Sequence, residues 1–482
     1  MTALLTDLYQ LTMMQGLFAA GVHRTRCVFD RFYRKNPFGN AYTVVAGLAQ
    51  VVNYLENLRF TDGDLAYLRS TGLFSEDFLS YLKAFRFTGD VYAMPEGSVA
   101  FPREILLRVE APKDEAMLIE TAISMYLNHE SLIATKARRI RSVAGTDRLS
   151  EFGLRRAQGA DAAVYGARAT IIGGFDGTSN VYSAAKFGIR PVGTMAHSWI
   201  MSFESEVEAF RTYAAQYENM LVLLVDTYDT LKQGVPAAIE VFREVKERRG
   251  GMMPAGYGIR LDSGDLAYLS KAASEMLADA GFDDATIFAS NDLDEYLIAD
   301  LKRQGAKINA WGVGTKLITA KDTPALGGVY KLAGQWEADG TFLPKMKFSD
   351  NIEKVTAPGA KKTLRLVDTR SGKLIGDIIC MVDEYIDATA NFTYTDPRHP
   401  WKRMILKAGM FEVHDMLVPI FEEGRRVYEL PSLPDIVSYA ESQIALLWPE
   451  HLRLYNPPEA HVNISKGVFE LQERLLLEKG RH

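Results

Sequence analysis

Gly256-Tyr257-Gly258-Ile259-Arg260-Leu261-Asp262-Ser263-Gly264-Asp265-Leu266 sets an apolar run against a polar turn and the opening of a helix. The run reads as a strand over 256–261, and the helix runs from Leu266 to about Ala280. The same order of strand, polar exit and helix recurs on both sides. Leu221–Val225 runs into Asp226-Thr227-Tyr228-Asp229 and a helical Val235–Arg248. Thr286–Ala289 runs into Ser290-Asn291-Asp292 and a helical stretch to Arg303, and Lys307–Trp311 into Gly312-Val313-Gly314-Thr315. Further out, the apolar Thr170–Ile172 precedes Asp176-Gly177-Thr178-Ser179 and a helical Val181–Phe187. Pro191–Thr194 precedes Met195-Ala196-His197 and a helix expected from Ser198 to about Tyr217, and Gly327–Leu332 opens another apolar run. A repeat of roughly 30 residues is the size of a βα unit and implies a parallel sheet, open or closed into a barrel.

Outside this region the rhythm is lost. Asp62–Ser70 and Ser75–Phe85 read as helices, and Val91–Ala93 and Ile105–Val109 as short strands. Glu115–Arg141 is a long amphipathic candidate whose Met117, Ile119, Ile123 and Tyr126 share a face. The basic stretch Lys136, Arg138, Arg139, Arg141 closes it, either as a solvated end matched to the helix dipole or as a phosphate-facing cluster. Beyond Pro358, Thr363–Val367 and Ile378–Val382 are β-rich, and a final helix is expected over Glu470–Glu478.

The 482 residues suggest about three domains at roughly 150 residues each, or two large ones. A net charge of −6 argues against wholesale nucleic-acid coating. At 47% hydrophobic and 24% charged, the chain can bury a sizeable core and does not read as disordered. No apolar run approaches the roughly 18 residues of a membrane span, and Asp7 stands where a secretory signal would be basic, so a cytoplasmic protein is expected. Cys27 and Cys380 are too few for a disulfide framework or a cysteine metal site.

Strand exits in parallel α/β folds are where ligands bind, and here they are unusually polar. Any one of them reads equally as a helix N-cap, Asp292 among them. Together they suit a phosphorylated, hydroxylated ligand, with Gly and Thr offering backbone N–H groups and Asp262 and Asp265 suiting Mg²⁺ or ribose hydroxyls. Neither a P-loop nor a GxGxxG fingerprint is present. His197 stands alone at a strand exit, as a structural or a functional histidine.

Leu5-Thr6-Asp7-Leu8-Tyr9-Gln10-Leu11-Thr12-Met13, Glu151-Phe152-Gly153-Leu154-Arg155-Arg156 and Gly193-Thr194-Met195-Ala196-His197-Ser198 closely resemble the nicotinate phosphoribosyltransferase family. Arg260-Leu261-Asp262-Ser263-Gly264-Asp265-Leu266, Ser290-Asn291-Asp292-Leu293 and Gly312-Val313-Gly314-Thr315 continue the match, which runs in order from residue 5 to about 360. The resemblance implies a type II phosphoribosyltransferase fold. Its α/β class is an irregular parallel barrel over 131–350, with a second α/β domain built from 1–130 and a C-terminal region, 351–482, packed with it. It implies transfer of phosphoribosyl from phosphoribosyl pyrophosphate (PRPP) to nicotinate, giving nicotinate mononucleotide and pyrophosphate, with coupled ATP hydrolysis, in NAD salvage. ATP is then a co-substrate, Mg²⁺ the cofactor, and nucleic acid and membrane are not partners.

Residue by residue, the resemblance implies that His197 is phosphorylated and that Arg260 and Asp262 complete the catalytic set. Nicotinate contacts fall on Tyr9, Phe152, Thr194 and Arg260, and Ser179 occupies the position where nicotinamide-using relatives carry an aspartate. PRPP contacts fall on Arg155, Asp262, Ser290, Asn291, Gly312, Gly314 and Thr315, and Mg²⁺ on Asp262 and Asp265. Tyr9 reaches a neighbouring subunit's site in relatives, which implies a homodimer. Alternatives are a nicotinamide phosphoribosyltransferase, a barrel lyase or aldolase using Lys316 as a Schiff-base lysine, and a non-enzymatic binding protein.

Overall fold

A computed structural model describes residues 2–347 and 356–479. The chain divides into two compact units, Met1–Thr135 with Ala325–His482, and Lys136–Pro324.

The second unit is built on a six-stranded sheet in the order Gly177–Thr178, Arg148–Glu151, Ala310–Val313, Thr286–Ala289, Gly258–Leu261, Val222–Leu224. Every pairing in it is parallel. Side chains alternate across a strand, and here the alternation separates stability from chemistry. Ile259, Leu261, Ile287, Ala289, Trp311 and Val313 are buried in the core on one face, packed with Val235, Phe242, Ala273 and Ile298 of the covering helices. Arg260, Phe288, Ala310 and Gly312 alternate with them and point the other way, paired in register as Arg260 with Phe288 and Phe288 with Ala310.

Mixed α/β architecture with a parallel sheet is as expected, but among the described residues the sheet does not close. Pro191–Thr194, expected as a strand, contributes only a single bridge from Pro191 to Thr178. Proline has no N–H to donate to a ladder, and the glycine that follows at 193 resists an extended commitment. Thr170–Ile172 is not a strand either. It is the last turn of the helix Ala160–Ile172, whose alanine-rich start carries the β-branched residues along. The expected helix from Ser198 is two, His197–Ile200 and Glu206–Gln216.

In the basic stretch after Thr135, Lys136 and Arg139 take neither expected role, whereas Arg141 sits in the last turn of the helix Glu120–Ala144. Lys136 is fully buried between Glu295 at 2.8 Å and Asp322 at 2.6 Å, and Arg139 donates to Glu295 at 2.8 Å. Arg141 reaches back to the carbonyl oxygens of Gly174, Gly145 and Asp147. These cations stitch helices to loops and are not available to a phosphate.

The first unit carries a seven-stranded sheet that includes Gly328–Trp336, Arg26–Tyr33, Leu107–Pro112 and Asp90–Ala93 in that order, all antiparallel. Gly328–Trp336 begins in the run that the sequence set at the end of the βα series, but its partner is Arg26–Tyr33. A four-stranded sheet orders Phe411–Asp415, Lys361–Asp368, Leu374–Met381 and Val462–Ile464. Arg365 lies in its centre and grips Asp377 through Nε and Nη2, at 3.0 and 2.6 Å, with further bonds to Gln443 and the Val99 carbonyl. Burial, followed by the adjacent Asp377, pushes the carboxyl of Glu104 well above the usual range. Among the described residues, no helix is long and apolar enough to cross a membrane.

Candidate active site

The exits of the parallel strands converge on Arg260. Its Nε donates to Ser290 Oγ at 2.9 Å, Nη1 to Thr194 Oγ1 at 2.8 Å and to the Met195 carbonyl at 3.1 Å, and Nη2 to Asp262 Oδ1 at 2.9 Å. A guanidinium has five N–H donors, so this network engages all but one of them. The Arg260 carbon sits 6.0 Å from the centre of the Phe152 ring. A ligand entering beside Phe152 therefore meets an arginine already held in orientation and already paired with a carboxylate.

Asp262 is the second hub. It also accepts from the Ser290 hydroxyl, and its Oδ2 lies 3.7 Å from His197 Nε2. Burial works to raise its pKa, but the Ser290 hydroxyl, the Arg260 guanidinium and His197 together hold it below the usual carboxylate range. The other ring nitrogen of His197, Nδ1, is 3.1 Å from Thr227 Oγ1. His197 thus opens its short helix with both nitrogens oriented and the ring partly exposed.

Phe152 stacks on Phe288, with centroids 5.7 Å apart and planes 21° from parallel. The two rings pass directly over Gly312, where a Cβ would approach Phe152 to 2.7 Å and Phe288 to 2.8 Å. A Cβ on Gly314 would meet the Phe152 carbonyl at 3.0 Å. Of the two glycines expected to face PRPP, Gly312 lies under the aromatic pair and lets it rest on the strand, and Gly314 packs against the Phe152 backbone. A cavity of about 180 Å³ is lined by Phe152, Phe288, Thr194, Ser150, Ala310 and Val192, among others.

Other expected residues are placed as follows. Ser179 is half-buried beside the strand Gly177–Thr178, and its N–H donates to the Glu151 carbonyl at 2.9 Å. The cap of the next helix is Asn180, which accepts from Ser183 N at 3.1 Å, so the Ser179 hydroxyl is not spent on capping. Asp265 caps Leu266–Asp279 by accepting from Tyr268 N at 3.0 Å, which leaves it pointing along its own helix. Asn291 and Asp292 both have left-handed backbone, at φ 88° and 42°, and the helix cap is Asp294, not Asp292. Arg155 is exposed, and its neighbour Arg156 donates to Thr315 Oγ1 at 3.2 Å. Lys316 is paired with Asp294 at 2.6 Å. Tyr9 belongs to the other unit, on an exposed face of the helix Leu8–Ala19, where Gln10 donates to its hydroxyl at 3.1 Å.

Residues without an expected role also stand here. Asp226 is buried and accepts from Asp262 N at 2.8 Å and Ser263 Oγ at 2.6 Å, holding the Asp262 turn in place. Burial, then Asp226 and Asp229, push the Glu206 carboxyl up to about 7. Glu151 is fully buried behind Phe152. Each ends a strand or starts a helix, where an acid reads as ordinary capping. Among the described residues no three His, Cys, Asp or Glu side chains are grouped to hold a metal ion.

This constellation, an aromatic pair beside an oriented arginine with a histidine–aspartate pair near parallel strand exits, has the chemistry to stack a flat ring and to pair with an anionic group. Comparison with known proteins gives the class. Residues 4–128, 148–333 and 360–472 match, in turn, the N-terminal domain, the family and the C-terminal domain descriptions of nicotinate phosphoribosyltransferase. Nicotinate phosphoribosyltransferase of Bacillus subtilis is 45% identical over 465 residues, covering 96% of this chain and 93% of its own. That of Dictyostelium discoideum is 37% identical over 99% of this chain and 88% of its own. The crystal structure of human nicotinic acid phosphoribosyltransferase superposes with a TM-score of 0.82 at 29% identity, covering 98% of this chain and 99% of that one. The chain belongs to the nicotinate phosphoribosyltransferase family, and with it to the enzymes of NAD salvage.

Proposed function

We infer that this enzyme joins nicotinate to PRPP, releasing pyrophosphate, in a slot walled by Phe152 and overlooked by Arg260, with ATP hydrolysis coupled through His197. The observation that carries the reading is the convergence of Thr194 and His197 from one loop, Arg260 and Asp262 from one strand end and Ser290 from the next strand's exit into one polar cluster.

Breaking the bond from ribose C1 to pyrophosphate builds positive charge on the sugar, as in other oxocarbenium-like substitutions. The pyridine nitrogen of nicotinate already carries its lone pair, so no general base is required. What the protein supplies is orientation and electrostatics. Phe152 stacks the ring, the remaining Arg260 donor and the Thr194 hydroxyl meet its carboxylate, and Asp262 and Ser290 lie on the ribose side. Arg155, Asn291, Gly314 and Thr315 line the way to the phosphates, while Gly312, covered by the two rings, serves the ring slot. Mg²⁺ fits this donor set as an ion brought by PRPP: the carboxylates are too scattered for a cage, and Mg²⁺ is commonly held by substrate phosphates with one or two acids. Asp262, with Oδ2 less committed than Oδ1, is the acid that suits it, and the ion would offset the charge of the leaving pyrophosphate. Phosphorylation of His197 would add roughly −1.5 to −2 charges beside Asp262, enough to reorder the neighbouring cations and change PRPP affinity.

Ser179 favours nicotinate over nicotinamide. An aspartate there would face the substrate carboxylate, a repulsion of about 4 kcal/mol at about 4 Å and an effective dielectric of about 20. The ion-paired Lys316 disfavours a Schiff-base lyase, which needs a neutral amine. The parallel strands and the bridge from Thr178 to Pro191 support an irregular, incompletely paired barrel. Exposed Leu8, Tyr9 and Met13 support a homodimer in which Tyr9 enters the neighbour's slot. Charged co-substrates that do not cross membranes unaided suit a cytoplasmic location.

The test is pyrophosphate and ADP release from PRPP, Mg²⁺ and either nicotinate or nicotinamide, with and without ATP, for wild type and His197→Ala. Nicotinate should be strongly preferred, and His197→Ala should lose PRPP-linked ATPase while keeping some ATP-independent transfer. Equal use of both pyridines, or an unchanged ATP-to-product ratio in the variant, would overturn the reading.

A further inference from the structure

Glu151 is a fully buried carboxylate at the end of the strand Arg148–Glu151, and among the described residues no cation pairs with it. Its two oxygens point to different loops. Oε1 accepts from the N–H of Gly153, and Oε2 accepts from the Thr178 hydroxyl. Its backbone carbonyl takes a third bond, from Ser179 N at 2.9 Å. The Thr178 oxygen passes the link on by accepting from Asn180 N at 2.9 Å, and Asn180 caps the helix Val181–Phe187. One residue therefore fastens both the turn that carries Phe152 and the loop that carries Ser179.

Local packing leaves little slack in this arrangement. A Cβ on Gly153 would lie 2.5 Å from Ile318 and 2.8 Å from Glu151 Oε1, so the turn presses against the carboxylate without a side chain between. Phe152 is constrained on its other face by Phe288. A dry carboxylate held only by neutral donors is costly to keep, and apolar packing would stabilise the strand end better. Such an acid makes sense where two loops must hold a fixed separation.

We propose that Glu151 is a positioning residue that sets the spacing between Phe152 and Ser179, and with it the fit of the pyridine ring. This rests on the reading of those two residues as walls of the nicotinate slot. Burial raises the Glu151 carboxyl above its usual pKa, while Thr178 and the Gly153 N–H oppose the shift, which agrees with a site closed to water.

The experiment compares wild type with Glu151→Ala, Glu151→Gln and Thr178→Val, using steady-state KM for nicotinate and for PRPP together with thermal unfolding. The Gln variant can still accept from Gly153 with Oε1 and donate to the Thr178 oxygen with Nε2, whereas Ala keeps neither link. Misplacing a ring wall by a fraction of its contact distance should raise the nicotinate KM of Glu151→Ala on the order of 10- to 100-fold. The PRPP KM should stay within about threefold, and Glu151→Gln should recover most of the loss. If Glu151→Ala does not fold, Thr178→Val carries the test, since it keeps the volume and removes one arm. It should raise the nicotinate KM alone, by about threefold to tenfold. Folded variants with lower melting temperatures but an unchanged nicotinate KM would overturn the proposal, as would a parallel rise in both KM values or no recovery in Glu151→Gln. A wild type that turns over no nicotinate would overturn the slot reading itself, and the proposal with it.

Discussion

Arg365 and Arg260 each hold an aspartate, in opposite conditions. The Arg365–Asp377 pair is sealed, with side-chain exposures of 2% and 0%, and two further Arg365 donors go to Gln443 and a backbone carbonyl. The Arg260–Asp262 pair is 16% and 28% exposed, keeps one N–H uncommitted and leaves one carboxylate oxygen facing His197. The first pair is closed to any ligand by its burial. The second has a fixed geometry and spare valence, which is what recognition requires. Charge and donor count do not separate the two arginines, each of which engages four of its five N–H groups; access to them does.

Arg365→Ala should test the sealed pair most severely. It would strand Asp377 and Glu104 in the core, at a cost of about 3–5 kcal/mol, a large part of a typical domain's stability. Urea unfolding of the full chain measures it, and a loss below about 1 kcal/mol would place Arg365 with the open pair. Arg260→Lys should show the reverse. Stability should change by less than about 1 kcal/mol, while kcat/KM for nicotinate falls on the order of 100-fold, because an ammonium cannot span Thr194, Ser290 and Asp262 together. A stability loss matching that of Arg365→Ala would dissolve the contrast.

Glu206 offers the mildest test. Its folded pKa of about 7 lies above the unfolded glutamate value of about 4.3, so between these pH values the folded state binds more protons. Its contribution is most favourable below about pH 4.3 and declines as pH rises to 7. Glu206→Gln should flatten that decline, adding about 1 kcal/mol above pH 7 once solvent screening is counted, and nothing at pH 4. Melting temperature across pH checks it; a uniform shift at all pH values would assign Glu206 a packing role only.

The parallel βα order was legible because each unit writes its own strand, polar exit and helix in consecutive residues. Arg260, Asp262 and Ser290 were legible for the same reason, since they end or directly follow the strands Gly258–Leu261 and Thr286–Ala289, whereas Thr194 and His197 follow a stretch that pairs only through Pro191. Pairing is not local. Nothing within Pro191–Thr194 says that it meets only Thr178, and nothing within Gly328–Trp336 says that its partner lies three hundred residues earlier, at about 30. The fate of Lys136 and Arg139 hung on Glu295, equally remote in sequence. Glu151 stood in plain sight before Phe152, but its meaning depends on Thr178 lying beside it. Asp226 and Thr227 were visible as a strand exit, and only contact with Asp262 and His197 gives them a role.

The bare backbone of Gly312 beneath the Phe152 and Phe288 rings carries a consequence for descent. A lineage cannot acquire even a methyl group at 312 while both rings stay in place, because the added carbon has nowhere to go. Substitution at 312 should therefore travel with loss of bulk at 152 or 288, and reversion at one position should be blocked until the others revert. The three positions form an inherited unit, joined by the volume they share and not by any bond.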